Sequence, residues 1–156
     1  RPTTDVAKEG LFNILGNRFE FSNKTVLDLF SGTGSIGYEF LSRGCTEATF
    51  IESDFNHYRF ILNVLETLKI ENASAFKSDV FKYIKTCPQK FNFIFADPPF
   101  DFKTFPDIPD AILDTDILAE DGLFILEHPS EFQFTKHKYF KEIRNYGKVN
   151  FSFFEK

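Results

Sequence analysis

An apolar run, Thr25-Val26-Leu27-Asp28-Leu29-Phe30, passes without a break into Ser31-Gly32-Thr33-Gly34-Ser35-Ile36-Gly37. A buried strand that enters a glycine turn and then a helix marks an α/β unit, in which the next strand returns parallel through a helical crossover. The helix predicted over 34–43 is stopped by Gly44. The alternation then repeats. Residues 48–51 read as a strand, and 55–68 as a helix with Tyr58, Ile61, Leu62, Leu65 and Leu68 on one face. A short strand is predicted over 73–77 and a short helix over 80–85. A strong strand over 91–96 then ends abruptly in Asp97-Pro98-Pro99.

Ahead of the glycine turn, 3–19 reads as a helix, with Thr3 or Thr4 as its cap and Asp5 in the first turn. Leu11, Leu15 and Phe19 recur there at four-residue spacing. Beyond the double proline, a loop is predicted as far as Pro109, a helix over about 111–118 and a strand over 122–127. Residues 140–145 and 148–154, separated by Tyr146-Gly147, predict a hairpin. The expected fold is α/β: one domain over 1–156, doubly wound, with a mainly parallel sheet, helices on both faces and a terminal hairpin.

Composition narrows the function classes. The 23 Phe, in a chain without Met or Trp, follow no fixed period, so they are read as core. Cys45 and Cys87 have neither a CxxC pattern nor metal-ligand spacing. They are expected to be buried or half-buried thiols in a reducing compartment, and no metal site is expected. No apolar run is long enough to span a bilayer and none resembles a signal peptide, so a soluble, cytoplasmic protein with no membrane partner is expected. A net charge of −5 opposes a nucleic-acid partner unless positive charge is gathered locally.

The glycine turn points to a cofactor. Gly32 and Gly34 let a ligand approach the backbone, and the start of the following helix presents N–H groups to it. Gly32-x-Gly34-x-x-Gly37 also satisfies the dinucleotide pattern, and Glu52, 15 positions beyond Gly37, suits a ribose diol in either case. Asp28 tips the balance. A carboxylate just before the glycines repels a pyrophosphate but attracts the cationic methionyl amine of S-adenosyl-L-methionine. Taken alone, Asp28 could instead cap the loop and Glu52 could be a solvated strand-end acid. Asp79 could accept a bond from an adenine amine or cap the next helix. Asp28, Glu52, Asp79 and Asp97 all fall at strand ends, along one expected rim.

Asp97-Pro98-Pro99-Phe100 points to the other substrate. Two prolines after an apolar strand give a stiff turn with no free backbone N–H, so the Asp97 carboxylate and the Pro98 carbonyl converge as acceptors. An exocyclic NH₂ offers two donors to match. Phe100 is placed to stack on the base that carries it, an interaction worth about 1–3 kcal/mol. Holding both N–H bonds out of the ring plane localises a lone pair that is otherwise delocalised. Orientation toward a sulfonium methyl contributes up to about 7–11 kcal/mol. Asp97 can then take the proton that the methylated nitrogen sheds, typically a factor of about 10²–10⁴. The competing reading is a strand-ending turn without chemistry.

Arg1-Pro-Thr-Thr-Asp5 with Lys8-Glu9 and Leu11-Phe-Asn-Ile14, then DLFSGTGSIG, FADPPF and GLFILEH, resemble the RsmD-type bacterial 16S rRNA guanine-N2 methyltransferases through almost the whole chain. The DPPF element is shared with DNA amino-methyltransferases, and the RPTTD opening is the discriminating part. The resemblance implies a Rossmann-like, class I methyltransferase fold with a seven-stranded sheet. It implies cofactor contacts from Asp28, Ser31, Gly32, Gly34, Glu52, Asp79 and Asp97, with Asp97, Pro98, Pro99 and Phe100 as the catalytic turn on the target guanine. Residues 1–4 are expected near the methionyl end of the cofactor or the RNA entrance. The implied partner is 16S rRNA or an assembling small ribosomal subunit, bound by a monomer. Family members carry a basic β-hairpin arm ahead of the RPTTD sequence, whereas this chain starts at Arg1. The positive charge that binds RNA is expected on that arm.

Within the chain, Lys82, Lys85 and Lys90, and Lys136, Lys138, Lys141, Arg144 and Lys148, form the basic clusters, read mostly as solvated faces. His57 and His128 invite a general-base reading, but no Ser-His-Asp or Cys-His pattern accompanies them. All three histidines are therefore left outside the catalytic set. The rival functions are another nucleic-acid amino-methyltransferase, an NAD-dependent oxidoreductase and a non-catalytic nucleic-acid-binding module.

Overall fold

The computed structural model describes residues 3–100 and 103–156. Among these described residues are five α-helices and seven strands, alternating as far as the fifth strand. Helix α1 (Asp5–Arg18) is capped by Thr4, whose side chain accepts from the Ala7 N–H. There follow β1 (Thr25–Leu29), α2 (Ser35–Ser42), β2 (Glu47–Glu52), α3 (Phe55–Thr67), β3 (Ala73–Lys77), α4 (Val80–Thr86) and β4 (Phe91–Ala96). A 3₁₀ turn (Phe105–Asp107) leads into α5 (Ile108–Leu113), and β5 (Leu118–His128), β6 (Phe140–Tyr146) and β7 (Val149–Phe154) complete the order.

The strands form one seven-stranded sheet in the order β3-β2-β1-β4-β5-β7-β6. Strands β1 to β5 pair parallel, while β7 runs antiparallel to both β5 and β6. This is the Rossmann-like, doubly wound arrangement with a terminal hairpin that the sequence implied. Strand alternation divides the core in two. Val26, Phe50, Phe93, Phe95, Ile125 and Phe151 face α1, α2 and α3, whereas Leu27, Ile94, Ala96, Phe124 and Leu126 face α4 and α5. Phenylalanine supplies most of the largest fully buried side chains, as composition suggested. Cys45 is buried and Cys87 half-buried, both as free thiols. Among the described residues no helix is long and apolar enough to cross a membrane.

The structure corrects the sequence reading at several boundaries. β1 stops at Leu29, because Phe30 turns off the sheet with a left-handed φ of 55°. Leu68, expected on the buried face of α3, is the exposed residue that ends that helix. The helix expected over 111–118 is instead Ile108–Leu113. Pro109 sits in its first turn, where a missing N–H costs nothing. Strand β5 begins at Leu118, well before Gly122. Leu118 pairs with Phe91, and a bulge with Asp121 at a positive φ shifts the register before Leu123 meets Phe93. The hairpin turn lies one residue later than expected, between Tyr146 and Val149.

Candidate functional site

Parallel register builds the floor of the site. Ile51, Leu29, Ala96 and Leu126 lie side by side across β2, β1, β4 and β5. Glu52, Phe30, Asp97 and Glu127, each one residue further on, thus occupy the next level at the carboxyl end of the sheet, where open α/β folds bind ligands. Asp28, two residues before Phe30, faces the same side as Val26. Above this edge opens a cleft of about 590 Å³. Its walls include Asp28, Ser31, Gly32, Glu52 and the turn from Asp97 to Phe100, all anticipated from sequence, together with Thr3, Phe30 and His57.

The glycine loop is held by the acids around it. Ser31 donates its backbone N–H to the Ile51 carbonyl (3.0 Å) and its hydroxyl to the Asp28 carbonyl (2.5 Å). The Gly32 N–H donates to Glu52 Oε1 (2.7 Å), and the Asp54 N–H to Glu52 Oε2 (2.8 Å). Gly32 has a φ of +56°, and the space where its side chain would stand is empty. A ligand can therefore come against the backbone there. Gly34 caps α2 without a side chain, and the Gly37 N–H, in the first turn, donates to Asp28 Oδ2 (3.1 Å). A carboxylate from the preceding strand thus replaces the missing cap. A Cβ at Gly37 would collide with the Phe50 ring, so glycine there sets the close approach of α2 to β2.

These bonds bear on the choice of cofactor. In a dinucleotide site the loop N–H groups face a pyrophosphate. Here those of Gly32 and Gly37 go to carboxylates and that of Gly34 to the Ser31 carbonyl (2.8 Å). The result is a cleft whose loop N–H groups are already taken, with acids rather than free donors at its floor. Asp28 is only 2% exposed. Burial raises its pKa well above the usual carboxylate range; the Gly37 N–H opposes the shift, and Asp97 and Glu52 add repulsion.

Two expected contributors stand apart from the lining. Gly34 caps α2 with a φ of 87°, and Asp79 caps α4 by accepting the Lys82 N–H (3.0 Å). Pro98 is buried, whereas Pro99 and Phe100 are exposed, Phe100 by 37%. Of residues 1–4, Arg1 and Pro2 lie outside the described residues, while Thr3 lines the cleft. His128 is buried with its pKa lowered by burial. Its Nδ1 faces the Pro129 carbonyl (2.9 Å) and Nε2 the Ser152 hydroxyl (2.6 Å). Since a carbonyl only accepts, Nδ1 carries the proton and Nε2 accepts from Ser152. The ring closes a loop, as its position suggested. Among the described residues no group of acids, histidines and cysteines is arranged to hold a metal. Sequence reasoning misses Glu127, a fully buried acid whose Oε1 accepts from Thr3 Oγ1 (2.6 Å) across 124 positions. Its one local signal is a charge inside the apolar Gly122–His128 run.

Comparison with known proteins places this arrangement. The family model described as conserved hypothetical protein 95 matches residues 1–155. The chain is 33% identical over 137 residues to the putative rRNA methyltransferase YlbH of Bacillus subtilis, covering 85% of this chain and 73% of that protein. It is 34% identical over 131 residues to ribosomal RNA small subunit methyltransferase D of Escherichia coli, covering 84% of this chain and 65% of that one. The solved structure of the putative methyltransferase yhhF from Escherichia coli superposes with a TM-score of 0.87 at 29% identity, covering 100% of this chain and 87% of that chain.

Proposed function

The chain belongs to the conserved hypothetical protein 95 family, the RsmD-type group, and on that premise we propose that it transfers a methyl group from S-adenosyl-L-methionine to the exocyclic N2 amine of a guanine in 16S rRNA. The observation that carries the reading is one cleft that joins a carboxylate-braced glycine loop to the Asp97-Pro98-Pro99-Phe100 turn.

The residues present fit that cofactor. Gly32 leaves open space against the backbone, Glu52 is held by two N–H groups at the strand end, and Asp28 puts an acid where a cationic amine would lie. When bound, the cofactor supplies an electrophilic methyl on a sulfonium. The rest falls to the chain. Glu52, its rotamer fixed by Gly32 and Asp54, keeps lone pairs for ribose hydroxyls. Asp28 and Ser31 orient the methionyl end. Asp79, capping α4 next to β3, reaches toward the adenine only if its carboxylate leaves the Lys82 N–H.

Asp97 and the Pro98 carbonyl accept the two N–H bonds of the target amine. Proline at 98 and 99 keeps competing N–H donors away from those acceptors. Phe100, half open to solvent, stacks on the base. Asp97 is placed to take the proton that nitrogen would shed as the N–C bond forms and the methyl–sulfur bond breaks, so that a neutral methylated amine and a neutral thioether would result. A small ribosomal subunit in assembly, with the target base still accessible, is the proposed partner, bound by a monomer acting in the cytoplasm.

The test is mass spectrometry of ribosomal RNA from a strain lacking the gene. One N2-methylguanine in 16S rRNA is expected to vanish and to return with the wild-type gene. Unchanged rRNA modification overturns the substrate. Calorimetry that detects NADH but not S-adenosylhomocysteine overturns the methyltransferase reading itself.

A further inference from the structure

Glu127 differs from the other acids at this edge of the sheet. Glu52 and Asp28 brace the glycine loop through backbone N–H groups, whereas Glu127, at the end of β5 and 0% exposed, accepts from a side chain near the start of the chain. That side chain is Thr3, which is itself part of the cleft wall. The segment it belongs to runs straight into α1. Thr4 caps that helix, taking the Ala7 N–H on its side chain and the Lys8 N–H on its carbonyl. Ala7 and Leu11 then hold the helix on the sheet. The path from Glu127 to the first turn of α1 is therefore short and continuous.

A carboxylate is costly to bury without donors, and a hydroxyl bond to a charged acceptor is among the stronger neutral-to-ion contacts. Ahead of Glu127 in the chain, Ile125 and Leu126 are apolar and fully buried. We propose that Glu127 is a positioning residue, fastening the N-terminal segment through Thr3 so that this segment forms one wall of the cofactor cleft. This rests on reading the cleft as a methyltransferase site. Glu127 acts through Thr3, on the side of the cleft where the end of β5 lies next to the end of β4 and Asp97.

Substitution inside β5 risks the fold, so the test changes the edge residue. Thr3→Val removes the hydroxyl and keeps the shape, while Thr3→Ser keeps the hydroxyl. Hydrogen exchange of the full chain is read at the Ala7 and Lys8 amides, with β6 and β7 as a control for the global fold. S-adenosylhomocysteine affinity is read in parallel by calorimetry. Thr3→Val is expected to speed exchange at both amides and to weaken binding, each by about tenfold, and Thr3→Ser to stay within about twofold of wild type. Unchanged exchange in Thr3→Val overturns the proposal. So does a Thr3→Ser variant as impaired as Thr3→Val, or faster exchange with unaltered affinity. If the wild-type chain binds no S-adenosylhomocysteine, the methyltransferase reading fails instead, and the exchange measurement still decides whether the segment is anchored.

Discussion

On the β2 side of β1, the cleft is made of acids held by backbone N–H groups; on the β4 side it is made of a turn whose two prolines have no N–H to give. Glu52 is 9% exposed and takes the N–H groups of Gly32 and Asp54, so its geometry is set before any ligand arrives. The turn after β4 is set by ring closure at Pro98 and Pro99 and ends in an exposed Phe100. The contrast matches two demands. A cofactor of constant shape is met best by a rigid, preorganised pocket. A base within a larger folded substrate needs acceptors fixed in direction and an aromatic face still open to solvent.

The largest effect should separate the two halves. Asp97→Ala is expected to lower methyl transfer at least about 10²-fold, measured with labelled S-adenosylmethionine, while S-adenosylhomocysteine affinity changes little. An affinity that collapses in parallel would break the comparison, since Asp97 would then belong to the cofactor half. Glu52→Ala should do the reverse. It strips partners from two N–H groups, at a cost of about 1–3 kcal/mol. The midpoint of thermal unfolding should fall by roughly 3–10 °C, with weaker cofactor binding.

Legibility in the sequence divides along similar lines. The repeated units from β1 to β4 carry local signals: apolar runs, capping residues and glycine stops, and their elements appear within a residue or two of expectation. The region from Phe105 to Leu118 was misjudged because pairing decides it. Ile117 and Leu118 read as the end of a helix, yet the Ile117 carbonyl accepts the Phe91 N–H (2.7 Å), which commits them to the sheet. At the site, Asp28, Glu52 and Asp97 were legible because each stands at a recognisable strand-to-turn junction. Asp79 stands at one too, and local capping occupies its carboxylate. Glu127 gave almost no signal, since the partner that explains it lies at the other end of the chain.

The smallest effect concerns Asp28, the buried member of the rigid half. Its pKa is raised chiefly by burial, so above the ordinary carboxylate range the folded chain still holds a proton that the unfolded chain has released. Stability from this group is therefore greatest below that range and declines as pH rises toward the raised value. Asp28→Asn removes the titration. Its unfolding midpoint should lose less than that of wild type as pH rises above the ordinary carboxylate range. The sign reverses for the ligand. A cationic methionyl amine favours the ionised carboxylate, so binding of S-adenosylmethionine should expel up to one proton and tighten as pH rises. Calorimetry in two buffers of different ionisation enthalpy measures that proton directly. Release that persists in Asp28→Asn would move the titrating group elsewhere in the cleft. Release that disappears would tie the preorganised half to the charge of its ligand and leave the proline turn to the uncharged amine.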